Sequence, residues 1–230
     1  MESAQIRNMA DLEDRHWWFR ERRHLIGRAI RGLTPGRALD IGAGAGGNTR
    51  VVEAAGWQAT ALEYSDEGVA LAKERGLDVV QGDARDIPFP DDHFGLVVAY
   101  DVLEHIEEDE RVVEEIARVA GPGAKVLIAV PADPRLWSAH DEAVGHVRRY
   151  TRATLVGLFD SPRFTIDDVR SWNVLLRPVV ALRRRSVEDN DLTALSPVVN
   201  AGLSAIIRAE RHLPVRSRSG VSLLLEATVR

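Results

Sequence analysis

The chain of 230 residues contains no cysteine. This absence excludes a disulfide framework, a thiolate nucleophile and a zinc site with cysteine ligands. The sequence also lacks any apolar run close to the roughly 18 residues that a membrane span requires. Its first residues, MESAQIRNMADLEDRHWWF, are too polar and too acidic for a secretory signal. These absences predict a cytoplasmic protein without integral membrane association.

An excess of basic residues is missing as well, since the formal net charge is −5 at pH 7. Because nucleic-acid binding needs a basic face, we expect no nucleic-acid partner and favour a small-molecule substrate. A hydrophobic share of 45% and a charged share of 28% are ordinary for a globular protein. The length fits a single α/β domain with a sizeable core.

Short apolar runs alternate with helical patterns up to Pro131. The strand candidates are 37–41, 58–63, 78–81, 94–100 and 124–130. Helices are predicted over 4–31, from 48 or 49 to 55, after Ser65, and over 109–119. Strands separated by helices of about ten residues indicate βαβ units and a parallel sheet. A turn is predicted at Gly121-Pro122-Gly123, before the fifth strand.

The pattern changes after Pro131. A polar loop reaches Tyr150, and a helix to about Phe159 and strands over 164–172 and 221–229 follow. The region 174–213 has a helical period, with an apolar face formed by Leu195, Val199, Leu203 and Ile206. This face indicates packing against the body of the protein or against a second copy in a homodimer. We divide the single domain into a helical cap (1–36), a cofactor-binding core (37–131) and a substrate-side region (132–230).

A glycine-rich loop follows the first strand candidate, in Leu39-Asp40-Ile41-Gly42-Ala43-Gly44-Ala45-Gly46-Gly47. Glycines between a strand and a helix let a ligand approach the backbone and expose N–H groups at the helix N-terminus. The spacing of Gly42, Gly44 and Gly47 also satisfies the dinucleotide pattern G-x-G-x-x-G. The loop alone therefore fits a nicotinamide-dependent oxidoreductase as well as other nucleoside-binding proteins.

Three carboxylates separate these interpretations. Asp40 precedes the loop, where it suits a ligand with an ammonium group better than a pyrophosphate. Glu63 ends the second strand candidate, where it can accept both ribose hydroxyls, and Asp83 follows the third, where it can accept from an exocyclic amine. Ligands of open α/β sheets lie beyond the carboxyl ends of the strands. The pattern predicts a phosphate-free adenosine joined to an amino acid.

Four segments follow one another in the order LDIGAGAG, ALEYS, GDARDIPFPDDHFGLVVAYDVLEHI and VAGPGAKVLIAVP. Over residues 37–131 this succession resembles the motifs of class I S-adenosylmethionine-dependent methyltransferases of the type 11/12-like group. The resemblance implies a Rossmann-like α/β fold: a seven-stranded sheet with an antiparallel last strand and helices on both faces. We further expect an N-terminal helical lid and a helical insert before the last strand.

The resemblance also implies roles for individual residues, with S-adenosylmethionine as the cofactor. The glycine loop (Gly42, Gly44, Gly46) would hold the methionine part of the cofactor, with Asp40 near its amino group. Glu63 would bind the ribose, whereas Tyr64, Asp83 and Ala84 would surround the adenine. Asp101 and the turn after it would line the methyl-donor side. The implied activity is methyl transfer to an oxygen, nitrogen or carbon atom of a small molecule, in secondary metabolism or in glycan or lipid biosynthesis.

Two regions outside the core are candidates for substrate binding. The first contains His16-Trp17-Trp18-Phe19, followed by Arg22 and Arg23. Consecutive aromatic residues on a helix fan out by about 100° each, so they either anchor the helix or cover the cleft. The arginines are candidates for binding an anion. This HWWF…RR pattern, together with GHVRRYT later, resembles a subgroup of bacterial methyltransferases.

The second region is the polar loop from His140 to Tyr150. A long polar loop on the ligand side of a sheet suggests function. Its His140 and His146, together with His105, are the candidate bases, since histidine accepts a proton near neutral pH. Its remaining substrate candidates are Arg148, Arg149 and Tyr150. We expect no metal site, because His140, Asp141 and His146 lack the spacing usual for zinc.

Two alternatives to a methyltransferase stay open. A nicotinamide-dependent oxidoreductase explains the glycines and Glu63 but leaves Asp40, Asp83 and the terminal strand unexplained. A non-catalytic cofactor-binding or regulatory protein on the same fold is distinguished only by turnover.

Overall fold

The computed structural model of the protein describes residues 3–184 and 195–230. The strands are β1 (Arg37–Ile41), β2 (Gln58–Glu63), β3 (Val79–Gln81), β4 (Phe94–Tyr100), β5 (Ala120–Pro131), β6 (Phe164–Trp172) and β7 (Ser222–Val229). The helices up to β5 are α1 (Ser3–Leu12), α2 (Trp17–Ala29), α3 (Gly47–Ala54), α4 (Asp66–Glu74) and α5 (Asp109–Val119). Those after β5 are α6 (Ala139–Ala143), α7 (Arg152–Leu158), α8 (Arg177–Arg183) and α9 (Pro197–Glu210).

The strands form one sheet in the order β3-β2-β1-β4-β5-β7-β6. Neighbours among β1 to β5 pair in parallel, whereas β7 is antiparallel to both β5 and β6. The expected seven-stranded sheet with an antiparallel last strand is confirmed. The strand order reverses between β1 and β4, and open α/β sheets bind their ligands at such a switch point, beyond the carboxyl ends of the strands.

The sheet is covered on both faces. In β4 the side chains of Val97 and Ala99 belong to one apolar cluster, and those of Leu96 and Val98 belong to the other. Helix α5 packs into the first cluster, and α2, α3 and α9 contribute to the second. Burial on both faces explains why FGLVVAY is almost continuously apolar.

The sequence predicts one N-terminal helix over 4–31, but the structure has two, because the helical conformation is interrupted between Leu12 and Trp17. The ring nitrogen Nδ1 of His16 accepts a hydrogen bond from the Trp18 N–H at 3.3 Å, which caps the start of α2. A histidine cap carries none of the usual signals of a helix start, so the break was not visible in the sequence.

The turn expected at Gly121-Pro122-Gly123 lies inside β5 instead. The strand begins at Ala120, which pairs with Phe94, and the next pair joins Lys125 to Leu96. The extra residues form a bulge, and Gly123 adopts a φ of +83° there. The glycines and proline therefore distort a strand rather than precede it.

The insert before β7 is helical in the residues that the structure describes. Of the predicted range 174–213, residues 185–194 lie outside the described part. Leu195 and Leu203 pack against the core as expected, but Val199 and Ile206 are exposed by 49% and 40%. Ile207 takes the buried position on α9. The homodimer stays a prediction. No helix within the described ranges is long and apolar enough to cross a membrane.

Candidate active site

The glycine loop connects β1 to α3 through three residues with positive φ, namely Gly42 at +65°, Gly44 at +56° and Gly46 at +82°. L-amino acids with a Cβ rarely adopt this conformation. A Cβ at Gly42 would lie 2.5 Å from Val102, and one at Gly46 would overlap Leu77. The loop therefore requires glycine at both positions, and it presents its backbone at the carboxyl end of β1.

Asp40 lies beneath the loop and is almost completely buried. The hydroxyl of Thr49 donates to its Oδ2 at 2.6 Å, and Oδ1 has no hydrogen-bond partner within the described chain. Burial raises the pKa of Asp40 from 3.8 to about 7, against the opposing effect of the Thr49 hydrogen bond. An ammonium group nearby would favour the ionised form of the carboxyl group. The side chain of Asp40 is therefore suited to contact a cationic ligand.

Glu63, at the end of β2, reaches across to the same loop. Its Oε2 accepts from the Gly44 N–H at 2.8 Å, and its Oε1 accepts from the Ser65 N–H and hydroxyl at 2.9 and 2.7 Å. A carboxylate offers about four acceptor positions, so roughly one remains. Binding of both ribose hydroxyls therefore requires the Gly44 contact to lengthen.

Asp83 follows β3 and forms an ion pair with Arg85 at 2.7 Å. The hydrogen bonds from Arg85 also hold the pKa of Asp83 below its usual range. Sequence reasoning missed this partner, which occupies the carboxylate predicted to accept from adenine. Ala84 is buried beside it, and Tyr64 lies at the surface with 72% of its area exposed. The exposed ring of Tyr64 is accessible to a planar ligand.

Asp101 comes directly after β4 and adopts a φ of +60°, which is unusual for a residue other than glycine. Its carboxylate accepts from the guanidinium of Arg22, which lies 79 residues away in α2. Arg22 is buried, and its guanidinium carbon lies 5.4, 4.9 and 5.5 Å from the ring centres of Trp18, Tyr100 and Trp172. The pair fixes α2 over the carboxyl end of β4.

The remaining N-terminal candidates hold the cap in place. Trp17 is buried in the second apolar cluster, with its ring centre 6.5 Å from that of Trp172. Arg23 donates to the Glu13 carbonyl at 2.5 Å and to Asp14 at 3.4 Å. These internal contacts favour an anchoring role over the substrate contact that the sequence predicts for both residues.

Glu13 is a site residue that sequence reasoning missed. Its carboxylate pairs with Arg75, which also donates to the Ala45 carbonyl at 2.7 Å. A Cβ at Gly47 would overlap the carboxylate oxygens of Glu13. The first helical segment is thus fastened directly to the glycine loop. An acidic residue among many charges gave no signal of this contact.

A second polar cluster centres on His146, in the loop after α6. Its Nδ1 lies 2.8 Å from Oδ1 of Asp141, and the same oxygen accepts from Arg149 at 2.7 Å. Asp141 and Arg149 are both buried. The ring centres of His105 and His140 lie 4.8 and 6.3 Å from that of His146. The structure thus brings the three predicted histidines together.

Glu104 lies beside His105 in the turn that the resemblance assigns to the methyl-donor side, and it is completely buried, which the sequence did not predict. Burial and the charge of Asp101 raise the pKa of Glu104 well above its ordinary value. Burial and the charge of His146 lower the pKa of His105 to about 4, and its Nδ1 lies 3.1 Å from the Gly145 carbonyl. In the sequence, Glu104 stands between Leu103 and His105 in DVLEHI, which gave no signal of its burial.

The other substrate candidates of the loop make internal contacts. Arg148 pairs with Asp109 at 2.8 Å, and the Tyr150 hydroxyl donates to the same carboxylate at 2.6 Å. Tyr150 is buried, and burial raises the pKa of its hydroxyl above its usual range. Arg149 donates to the Ala132 carbonyl at 3.0 Å in addition to its pair with Asp141. These contacts favour an orienting role for Arg148, Arg149 and Tyr150.

Comparison with known proteins agrees with this geometry. Residues 39–128 match the family described as "Methyltransferase domain". An uncharacterized methyltransferase of Bacillus subtilis, YcgJ, is 31% identical over 158 residues, which cover 60% of each chain. A probable S-adenosylmethionine-dependent methyltransferase of Mycobacterium tuberculosis is 25% identical over 182 residues, or 71% of this chain and 66% of the relative. The predicted resemblance to class I methyltransferases is confirmed.

Solved structures show the same methyltransferase fold. A methyltransferase of Haloferax volcanii, in complex with the Trm112 activator, superposes with a TM-score of 0.67 at 20% identity, covering 98% of this chain and 95% of that one. A phosphoethanolamine N-methyltransferase of Haemonchus contortus, with S-adenosyl-L-methionine, gives 0.64 at 20% identity, with coverages of 90% and 52%. The chain spans 60% and 66% of the lengths of the two sequence relatives above.

Proposed function

We propose that the protein transfers a methyl group from S-adenosylmethionine to a small-molecule acceptor. The observation that carries this proposal is the convergence of Asp40, Glu63 and Asp101 at the carboxyl ends of β1, β2 and β4, around a loop that requires glycine. A row of carboxylates repels a pyrophosphate but suits a ligand with hydroxyl and ammonium groups. The sequence relatives described as S-adenosylmethionine-dependent methyltransferases support the same cofactor.

In this proposal each cofactor residue keeps the role that the sequence resemblance implies. The backbone of Gly42, Gly44 and Gly46 faces the methionine part, and Asp40 favours its ammonium group. Glu63 binds the ribose after its contact with Gly44 lengthens. Around the adenine, Ala84 packs against the ring, Tyr64 flanks it, and Asp83 accepts from its amine while paired with Arg85.

Positioning is the main chemical contribution of the protein. The sulfonium of the cofactor is already an activated donor, so the acceptor atom needs to lie about 3 Å from the methyl group and in line with the departing sulfur. Asp101 begins the turn that leads to His105, and His140 and His146 complete the adjoining wall. These histidines contact the acceptor, and Arg22 and Trp18 of the cap close the other side.

Calorimetry with two ligands tests the proposal. S-adenosylhomocysteine is expected to bind the purified protein with a 1:1 stoichiometry, whereas NAD gives no heat under the same conditions. Tight NAD binding with no response to S-adenosylhomocysteine would overturn the proposal in favour of an oxidoreductase. Binding of S-adenosylhomocysteine without methyl transfer to any acceptor in a broad small-molecule panel would instead support a regulatory protein on the same fold.

A further inference from the structure

Glu104 has an unusual environment for a carboxyl group. Its relative exposure is 0%, and neither of its side-chain oxygens has a hydrogen-bond partner within the described residues. Burying a carboxylate is costly unless it is paired or coordinates a metal. The residue lies in the short 3₁₀ turn Leu103–His105 after β4. It is therefore placed where ligands of an open α/β sheet bind.

Two imidazole rings lie next to this carboxyl group. One ligand atom from each of Glu104, His105 and His146 can be chosen so that all three lie within 4.8 Å of one another. The Nε2 atom of His146 is 3.8 Å from Oε1 of Glu104, which is too long for a hydrogen bond. Two ligands of a tetrahedral zinc ion are separated by roughly 3.4 Å, given bond lengths near 2.1 Å. The observed gap is close to that separation.

The outer nitrogens of both rings already have acceptors. Nδ1 of His146 lies 2.8 Å from the Asp141 carboxylate, and Nδ1 of His105 lies 3.1 Å from the Gly145 carbonyl. Because a carboxylate and a carbonyl only accept, each neutral ring carries its proton on Nδ1 and a lone pair on Nε2. Histidines that bind metals almost always donate their second N–H in this way.

The two segments that carry the cluster are also connected to each other. The Val147 N–H donates to the Glu104 carbonyl at 2.7 Å, which joins the loop after α6 to the turn after β4. Arg149, itself buried, fixes Asp141 from the other side at 2.7 Å. A buried carboxylate and two half-buried imidazoles with ordered outer partners are the arrangement that a preformed metal site requires.

We propose that Glu104, His105 and His146 bind a divalent first-row transition metal ion such as zinc. Two imidazole nitrogens and one carboxylate are a ligand set typical of catalytic metal sites, which leave further positions open. On the basis of the proposed methyl transfer, the ion would hold an oxygen of the acceptor and favour its deprotonated form. This proposal departs from the sequence analysis, which expects no metal.

Metal binding can be measured without turnover. The protein is dialysed against a chelator and titrated with Zn²⁺ by calorimetry and with Co²⁺ by visible absorption. We expect 1:1 binding, and Glu104→Gln and His146→Ala should each weaken it by at least about tenfold. Asp141→Asn should weaken it less than His146→Ala does. His212→Gln, an exposed histidine after α9, is the matched control and should bind as the wild type does.

These measurements distinguish a failure of the proposed metal site from a failure of the proposed cofactor binding. If the wild-type protein binds Zn²⁺ no better than a His105→Ala, His146→Ala double variant, the metal site is overturned. The same holds if Glu104→Gln retains full affinity, since the Glu104 carboxylate would then not be a ligand. S-adenosylhomocysteine binding by the metal-free protein is measured alongside. Its persistence shows that only the metal site has failed, and thermal unfolding confirms that each variant is folded.

Discussion

The buried guanidinium of Arg22 donates to the carboxylate of Asp101 across 79 residues of sequence. This pair joins the N-terminal cap to the end of the central strand β4. Asp101 is also the residue that starts the turn leading to His105. Three aromatic rings surround the guanidinium, so the charge is held by one carboxylate and by cation–π contacts. The cap is therefore joined directly to the candidate site.

Replacement of Arg22 should destabilise the protein. Arg22→Met keeps the apolar stem but removes the stacked charge and leaves Asp101 unpaired, so the free energy of unfolding should fall by about 2–3 kcal/mol. Arg20→Met is the control, because Arg20 is an exposed residue of the same helix and its replacement should change the free energy of unfolding by about 0.5 kcal/mol or less. Urea denaturation measures both. If both variants lose the same free energy of unfolding, the buried pair contributes no more to stability than the control residue does.

Asp40 should make stability depend on pH. Because burial raises its pKa from 3.8 to about 7, the folded state favours the neutral carboxyl. The stability from this preference is fully present below pH 3.8 and is lost as the pH rises to about 7. Asp40→Asn cannot ionise, so its free energy of unfolding relative to the wild type should increase over this range, by up to about 4 kcal/mol.

Urea denaturation at about pH 5 and about pH 8 checks this expectation. The free energy of unfolding of Asp40→Asn, relative to that of the wild type, should be larger at the higher pH. The variant should also bind S-adenosylhomocysteine more weakly than the wild type at that pH. A constant difference between the two proteins at both pH values would show that the carboxyl titrates normally.

Glu63 should contribute to cofactor affinity. Glu63→Gln removes the charged acceptor for the ribose hydroxyls, so S-adenosylhomocysteine binding should weaken by about 1–3 kcal/mol in calorimetry. Glu74→Gln, an exposed residue at the end of α4, provides the control. If the Glu63 variant keeps wild-type affinity, the ribose role is wrong.

A Cβ at Gly47 should force the Glu13 carboxylate to move, because this carboxylate lies over the glycine. Gly47→Ala is expected to displace the Glu13 carboxylate from Arg75 and to release α1, which increases hydrogen exchange in residues 3–12. The control is Gly157→Ala in α7, where a Cβ meets no atom within 4 Å and should stabilise the helix by up to about 1 kcal/mol. Unchanged exchange in α1 would contradict the fastening of the cap.

Elements with a strong local pattern were predictable. Strands β1, β2 and β4 and helix α5 match the expected ranges, and Ser65 caps α4 by accepting from the Gly68 N–H as its position suggests. The break at His16 was not predictable, because it depends on a side chain that seldom caps helices. The exposure of Val199 and Ile206 depends on how α9 is rotated against the sheet, which the helical period alone does not determine.

The site shows the same division. Asp40 and Glu63 became candidates because they lie at the carboxyl ends of recognisable strands, whereas Asp101 became one through the family resemblance. The partners of charged side chains were not found. Arg85 pairs with Asp83 and Asp141 with His146 within a few residues, whereas Glu13 and Arg75 are 62 residues apart, and each pair depends on the folded path of the chain. The burial of Glu104 was not predictable either, because it follows from tertiary packing around a turn.

The position of β7 between β5 and β6 has a consequence for synthesis on the ribosome. The partner of β6 in the sheet is β7, and one edge of β5 also pairs with β7. Until residues 222–229 emerge, β5 and β6 of the nascent chain each have an edge with unsatisfied backbone groups. Such edges pair with other chains, so aggregation is most favoured during this interval.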